Sequence, residues 1–291
     1  MTFACLGPSD RFSPVTFDVP AGATDTHSHV IGVPPAYPFV QDRSYTPPEA
    51  SLSAYTAMHR ALGIERAVIV TPSVHGTDNR ITVEAIAEYG PNARGIAVVP
   101  ADVSDAELRD LHAGGIRGIR LNVLFGGGVG LRAFRQLAPR ISPMGWHIQL
   151  LIDVSRDLEE LAADIRTANN PVVVDHMGHM PATRAMGDPG FKLLLELVQD
   201  GLAWVKLSGC DRISDQPPDY PDAVPVAQAL IEAGPQRMIW GTDWPHVAKT
   251  DHMPDTGALL NRLAVYAPDP AVRRAILVDN PSRLYGFEDT L

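Results

Sequence analysis

Eight short runs of β-branched and other apolar residues recur along this chain, and the stretches between them repeat their apolar residues at helical spacing. Runs with no polar alternation read as strands buried on both faces, the pattern of a parallel sheet wrapped by helices. They cover residues 23–30, 67–71, 95–100, 116–122, 146–153, 171–176, 203–207 and 238–242. Helices are expected over 52–62, 80–89, 104–112, 131–141, 155–168, 190–198 and 222–233, with 256–266 and 270–278 after the last strand. Ser104 before Asp105 and Glu107, and Ser155 before Glu159, put side-chain oxygens where free helical N–H groups need acceptors. Eight strand–helix units predict an α/β fold, a single-domain (β/α)8 TIM-like barrel over residues 1–291, with an extended segment over 1–20 and C-terminal helices over 256–291. An open doubly wound sheet is the alternative. Against it, no Gly-x-Gly-x-x-Gly follows the first run, and Gly126-Gly127-Gly128 lacks the Lys-Ser/Thr of a phosphate loop.

In such a barrel, chemistry belongs to the C-terminal ends of the strands. The first run ends in Thr24-Asp25-Thr26-His27-Ser28-His29, and residues two apart on a strand share a face, so both imidazoles enter the barrel mouth. The sixth ends in Val174-Asp175-His176-Met177-Gly178, and the eighth in Gly241-Thr242-Asp243-Trp244-Pro245-His246. Each motif alone also fits a bland role, as a loop histidine or a capping aspartate. Together, three imidazoles and one carboxylate at strands one, six and eight can polarise a carbonyl and activate water. His27, His29, His176 and Asp243 are also an acceptable set for one zinc ion. Strands four and five offer Arg120, Asn122 and Asp153 at their ends, no bridging Lys or Glu, which argues against a second ion.

These segments resemble the amidohydrolase superfamily, amidohydrolase-2 type, through His27-Ser28-His29, His176 and Asp243 in that order. The likeness is nearest to the branch containing the 2-pyrone-4,6-dicarboxylate lactonases, carried by His75-Gly76-Thr77-Asp78-Asn79, Gly118-Ile119-Arg120, Trp240-Gly241-Thr242-Asp243-Trp244-Pro245-His246 and Asn280-Pro281-Ser282-Arg283-Leu284-Tyr285. The resemblance implies a carboxylic-ester hydrolase that opens a small carboxylated lactone of the pyrone-dicarboxylate, muconolactone or sugar-acid kind. His27, His29 and His176 would face the lactone carbonyl, and Asp243 would activate water and then protonate the leaving oxygen. It further implies a reaction that requires no metal; a mononuclear zinc on the same four residues is the alternative. A lactone isomerase or decarboxylase of the superfamily, and a barrel that only binds a small acid, are the competing functions. Substrate contacts are expected from Tyr45, His75, Arg120, His179, Arg212 and His246. Three departures from the branch, Leu124-Phe125-Gly126, Leu151 and His179, replace basic or tyrosine positions, so the substrate should be less acidic or differently shaped.

The five prolines of residues 31–48 read as a lid-like loop over the mouth, the loop 211–221 as its counterpart on the rim, and the three-glycine run as extra room near strand four. His59, His112 and His252 are expected at the surface, and Trp146 and His147 at the end of the barrel away from catalysis. A net charge of −10 without basic clusters argues against nucleic acid as a partner. Two distant cysteines and the lack of about 18 successive apolar residues point to a cytoplasmic chain that does not span a membrane. The oligomeric state is left open.

Overall fold

A computed structural model describes residues 2–287, so the last part of the expected C-terminal segment, 288–291, lies outside the described residues. Ten strands occur in chain order: β1 (Phe3–Ala4), β2 (Thr24–Ser28), β3 (Tyr45–Thr46), β4 (Arg66–Val70), β5 (Ala93–Ala97), β6 (Ile116–Asn122), β7 (His147–Leu151), β8 (Val172–Val174), β9 (Ala203–Lys206) and β10 (Met238–Ile239). Eight of them form one parallel sheet in the order β10-β9-β8-β7-β6-β5-β4-β2, and helices connect them, which is the expected (β/α)8 barrel. β10 is too short to pair with β2 as a regular ladder, and loop backbone completes the closure. Thr26 N–H donates to the Trp240 carbonyl at 3.0 Å, Asp243 N–H to His27 at 2.8 Å and His29 N–H to Trp244 at 2.8 Å. Gly241 makes this approach possible, because a Cβ there would meet the His27 nitrogen at 2.5 Å.

Alternation along the strands divides the barrel interior into two storeys. On β4, Ala67 and Ile69 join the large cluster between sheet and helices, whereas Val68 and Val70 join Ile96, Val173, Trp204, Ile239, Tyr285 and Phe287 inside the barrel. Tyr285 reaches that inner cluster because the C-terminal chain does not run as the single helix expected over 270–278. It passes from Pro270–Arg274 through a π-helical turn, Ala275–Asp279, into Asn280–Tyr285. Above the apolar storey, the same inward register brings Arg120 of β6 beside Gln149 of β7, and Lys206 follows Trp204 by two residues on β9. His27, Arg120, Gln149, Asp175 and Lys206 are all buried, and they form the polar floor of the site.

Four expectations need correction. His59 is buried at 2 % exposure, because Tyr55, Met58, His59 and Leu62 form the inward stripe of Leu52–Leu62. His112 is half-buried, stacked on Trp146 and accepting its indole N–H at 2.9 Å. The glycine run makes no extra room. Gly126 N–H donates to Ser44 Oγ at 2.8 Å, and a Cβ on Gly127 would meet the Ser73 carbonyl at 2.3 Å, so the run is packed beneath the 31–48 loop. β8 and β10 also stop earlier than the runs 171–176 and 238–242, which leaves Asp175, His176 and Asp243 in turns beyond the strand ends.

Candidate active site

Asp243 sits at the closure of the barrel with a φ of 61°, a left-handed backbone unusual for an aspartate. The turn is secured from below by Asp25, whose carboxylate accepts from Thr242 N at 2.8 Å, Thr242 Oγ1 at 2.6 Å, Tyr55 OH at 3.1 Å and the His27 N–H at 3.1 Å. The two oxygens of Asp243 then differ. Oδ2 takes a short charge-assisted hydrogen bond from Arg212 Nε. Oδ1 has no hydrogen-bond partner and faces His27 Nε2 at 3.8 Å and His176 Nε2 at 3.7 Å. Burial opposes the charge on this carboxylate, but Arg212, first, and then His176 and His27 together offset that penalty and hold the carboxyl well below its usual range.

The imidazoles are packed against one another, with ring centroids 5.1 Å apart for His27 and His29 and 4.6 Å for His27 and His176. Burial drives all three towards the neutral form, most strongly His29 and His176. His29 Nδ1 lies 2.7 Å from the Val70 carbonyl, which can only accept, so Nδ1 carries the proton and the neutral ring presents a lone pair at Nε2. His176 Nδ1 meets Ser208 Oγ at 3.0 Å, and a hydroxyl serves either tautomer.

Beneath them, Asp175 takes an amide N–H from Gln149 at 2.9 Å and stands 3.4 Å from both Arg120 Nε and Lys206 Nζ. Lys206 is fully buried, and desolvation pulls its ammonium down to about 8 against the opposing pull of Asp175. Asp175, Lys206 and Gln149 were not expected as site residues. Asp175 directly precedes His176, and the two-residue alternation of β9 turns Lys206 inward with Trp204, so both signals were present in the sequence.

The structure thus brings His27, His29, His176, Asp243, Arg212 and Arg120 into one cluster at the C-terminal end of the barrel. Tyr45 is buried beside it, in the fields of Arg120 and Arg212, with burial pushing its phenol up to about 12. His179 stands next to it, ring centroid 6.0 Å from His176. His75 is held by the Pro38 carbonyl at 3.3 Å and by Tyr37 and Phe39, its contacts being those of the lid. His246 bonds Thr256 Oγ1 at 2.9 Å and keeps Nδ1 unpartnered. His147 lies at the other end, edge-on to Tyr285, as expected.

Nitrogen and carboxylate donors of two triads, His27/His29/Asp243 and His27/Asp175/His176, lie within 4.8 Å of one another, so the described residues include sets able to hold a metal ion.

A barrel whose strand-end turns gather three imidazoles and an arginine-bound aspartate into one cluster defines an amidohydrolase-type enzyme. The chain belongs to the Amidohydrolase family, whose model matches residues 24–287, as the motifs implied. It is similar to a 4-sulfomuconolactone hydrolase of Rhizobium radiobacter, 40% identical over 97% of this chain and 96% of that protein. A D-galactarolactone isomerase of Agrobacterium fabrum is 29% identical over 91% of each chain. A solved structure from Pseudomonas putida, described as a 2-pyrone-4,6-dicarboxylic acid hydrolase, superposes with a TM-score of 0.82 at 33% identity, covering 94% of this chain and 100% of that one.

Proposed function

We propose that this enzyme hydrolyses the ring ester of a small lactone bearing an anionic substituent. The observation that carries the reading is Asp243 Oδ1, a buried, ionised, unpartnered oxygen beside two imidazole Nε2 atoms. A water held there is deprotonated by Asp243 as its oxygen bonds to the carbonyl carbon. Charge growing on the carbonyl oxygen is met by imidazole N–H from the His27 and His176 side, while His29, whose Nε2 can only accept, orients the water or the ring. When the ring C–O bond breaks, the proton on Asp243 passes to the leaving alkoxide, giving a hydroxy acid. Arg212 serves the base, since its Nε is engaged by Asp243. Arg120, with Nε lacking a hydrogen bond, and Tyr45 are the groups we assign to the anionic substituent. His75, His179 and His246 border that space. Around the floor, the cations Arg120, Lys206 and Arg212 face the carboxylates Asp175 and Asp243, and the Arg120 Nε, without a hydrogen bond, is the cationic donor left for an anionic ligand.

His27, His29, His176 and Asp243 would hold one zinc ion, which would supply Lewis-acid polarisation of the carbonyl. We favour hydrolysis by the side chains alone, because Arg212 already neutralises Asp243 and two further cations stand under the imidazoles. The two unpaired cysteines, Cys5 and Cys210, suit a reducing cytoplasm, and no described helix is long and apolar enough to cross a membrane.

The test is a panel of anionic γ-lactones and pyrones assayed by proton release, before and after chelation, in heavy-oxygen water. We expect one class to open with label in the new carboxylate, and Asp243→Asn to lower kcat at least about 100-fold. No opening of any lactone between about pH 6 and 9 refutes the reading. Rearrangement without label selects the isomerase, and activity that returns only with stoichiometric zinc selects the metal route.

A further inference from the structure

Lys206 lies beneath His27 with no surface exposed. An ammonium has three N–H donors and no acceptor. Two of the donors are engaged, by the Thr26 carbonyl at 2.8 Å and Gln149 Oε1 at 2.7 Å. The third has two acceptors in reach, His27 Nδ1 at 3.1 Å and Asp175 Oδ1 at 3.4 Å, and His27 Nδ1 is itself 3.2 Å from that same Oδ1.

Two hydrogen-bonding states follow. In one, Lys206 donates to Nδ1, which must then offer a lone pair, and the neutral ring keeps its proton on Nε2. In the other, Nδ1–H donates to Asp175, Lys206 turns to Oδ1, and Nε2 carries the lone pair. The Lys206–Nδ1 contact has hydrogen-bond geometry, whereas Asp175 Oδ1 receives no hydrogen bond. At the far side of the ring, Nε2 faces the unpartnered Oδ1 of ionised Asp243 at 3.8 Å, which attracts an N–H; the rival pull of Asp175 Oδ1 on Nδ1, at 3.2 Å, is offset by Lys206, Arg120 and Gln149, which already face that carboxylate.

We infer that Lys206 is a positioning residue that holds His27 as the Nε2–H tautomer, so that His27 offers a donor to the substrate carbonyl and no lone pair to a metal. This deepens the lactonase reading and rests on it for the catalytic consequence. The neighbouring His29 is fixed the opposite way by Val70, so the two imidazoles of one His-x-His pair hold opposite tautomers, one donating into the site and one accepting. Removing Lys206 frees Nδ1 to donate to Asp175. The Nε2 lone pairs of His27 and His29 then stand together with Asp243 Oδ1 as a zinc-ligand set.

The tautomers are read by long-range proton–nitrogen NMR on the full chain labelled with nitrogen-15 histidine, with His27 assigned by the signal lost in His27→Gln. We expect wild-type His27 protonated at Nε2 and His29 at Nδ1; His27 protonated at Nδ1 overturns the assignment, whether or not any variant folds. In Lys206→Met we expect His27 to move to the Nδ1–H form, and zinc, titrated against a chelating dye, to bind at least about tenfold more tightly than to wild type. We also expect kcat to fall at least about tenfold while KM stays within about twofold. Unchanged zinc affinity in a folded Lys206→Met protein refutes the proposal. If no lactone is hydrolysed, the functional reading fails on its own, since tautomer and zinc affinity are measured without substrate.

Discussion

In the role proposed for it, Asp243 is a single side chain both anchored and reactive. Its two oxygens differ, Oδ2 bound to Arg212 and Oδ1 without a hydrogen-bond partner. Arg212 is the largest of the groups that favour its ionised form. A carboxyl whose folded pKa lies below its unfolded value stays ionised down to that folded value, and the stability it contributes is lost only as pH falls through it. The wild-type kcat/KM should accordingly show no acid limb at the ordinary imidazole pKa of about 6.5, because Asp243 stays charged there and burial lowers the three histidines below it. Arg212→Gln keeps a donor and removes the charge, so burial is no longer outweighed and the carboxyl rises. The expected result is an acid limb displaced upward by about one pH unit or more, with kcat/KM at neutral pH lower by about tenfold. A variant profile that superposes on the wild type would show that Arg212 does not tune Asp243.

Among the elements, the segment 31–48, read from the sequence as a lid-like loop, is tied on several sides. Val40 N–H donates to the Val74 carbonyl at 2.9 Å, the Pro38 carbonyl meets His75, Ser44 accepts from Gly126, and Tyr37 OH reaches Glu84. A Cβ on Gly126 would meet the Asp42 carbonyl at 2.1 Å, and Gly127 is nearly as tight, with a φ of 89° and a virtual Cβ 2.8 Å from Val40 Cγ2 as well as 2.3 Å from the Ser73 oxygen. Gly127→Ala should cost about 1–3 kcal/mol of stability and raise KM by displacing the lid, whereas Gly130→Ala, with nothing within 4 Å of its Cβ, should leave both unchanged. Urea midpoints and KM for the two variants decide this, and equal behaviour would mean that the lid is not seated on the glycine run. That seating was illegible in the sequence, since the partner carbonyl of Ser73 lies far away along the chain. The strands and the four residues at their ends were legible because each motif closes its own apolar run. His59 was legible in principle from its i, i+3, i+4, i+7 stripe with Tyr55, Met58 and Leu62, since a place on an outer helix does not by itself put a residue at the surface. Lys206 was legible in the same manner, a lone charge two residues after Trp204 in an apolar run and so on the same inward face.

On the scale of the whole molecule, the barrel encloses an apolar storey below a charged one, and phenols lie buried at both ends. Tyr285 enters from the C-terminal helix against His147, and Tyr45 lies below the lid beside Arg120 and Arg212. Tyr55 and Tyr266 are buried among the helices. Burial raises every one of these phenols, Tyr45 to about 12 and the others well above their ordinary value. The sign follows from proton linkage. Above about pH 10 the unfolded chain has released phenolic protons that the native chain still holds, so stability is intact below that pH and falls as pH rises towards the folded values. Lys206 acts in the opposite sense. With its ammonium depressed to about 8, the unfolded chain binds the proton more tightly between about pH 8 and 10.4, and stability rises across that window. The urea midpoint should therefore hold or rise from pH 8 to about 10 and drop steeply above it, and the tyrosinate absorbance band should appear together with the loss of far-ultraviolet circular dichroism. Gradual phenol ionisation at an unchanged midpoint would mean that water reaches these tyrosines, and that the two ends of the barrel are open in solution.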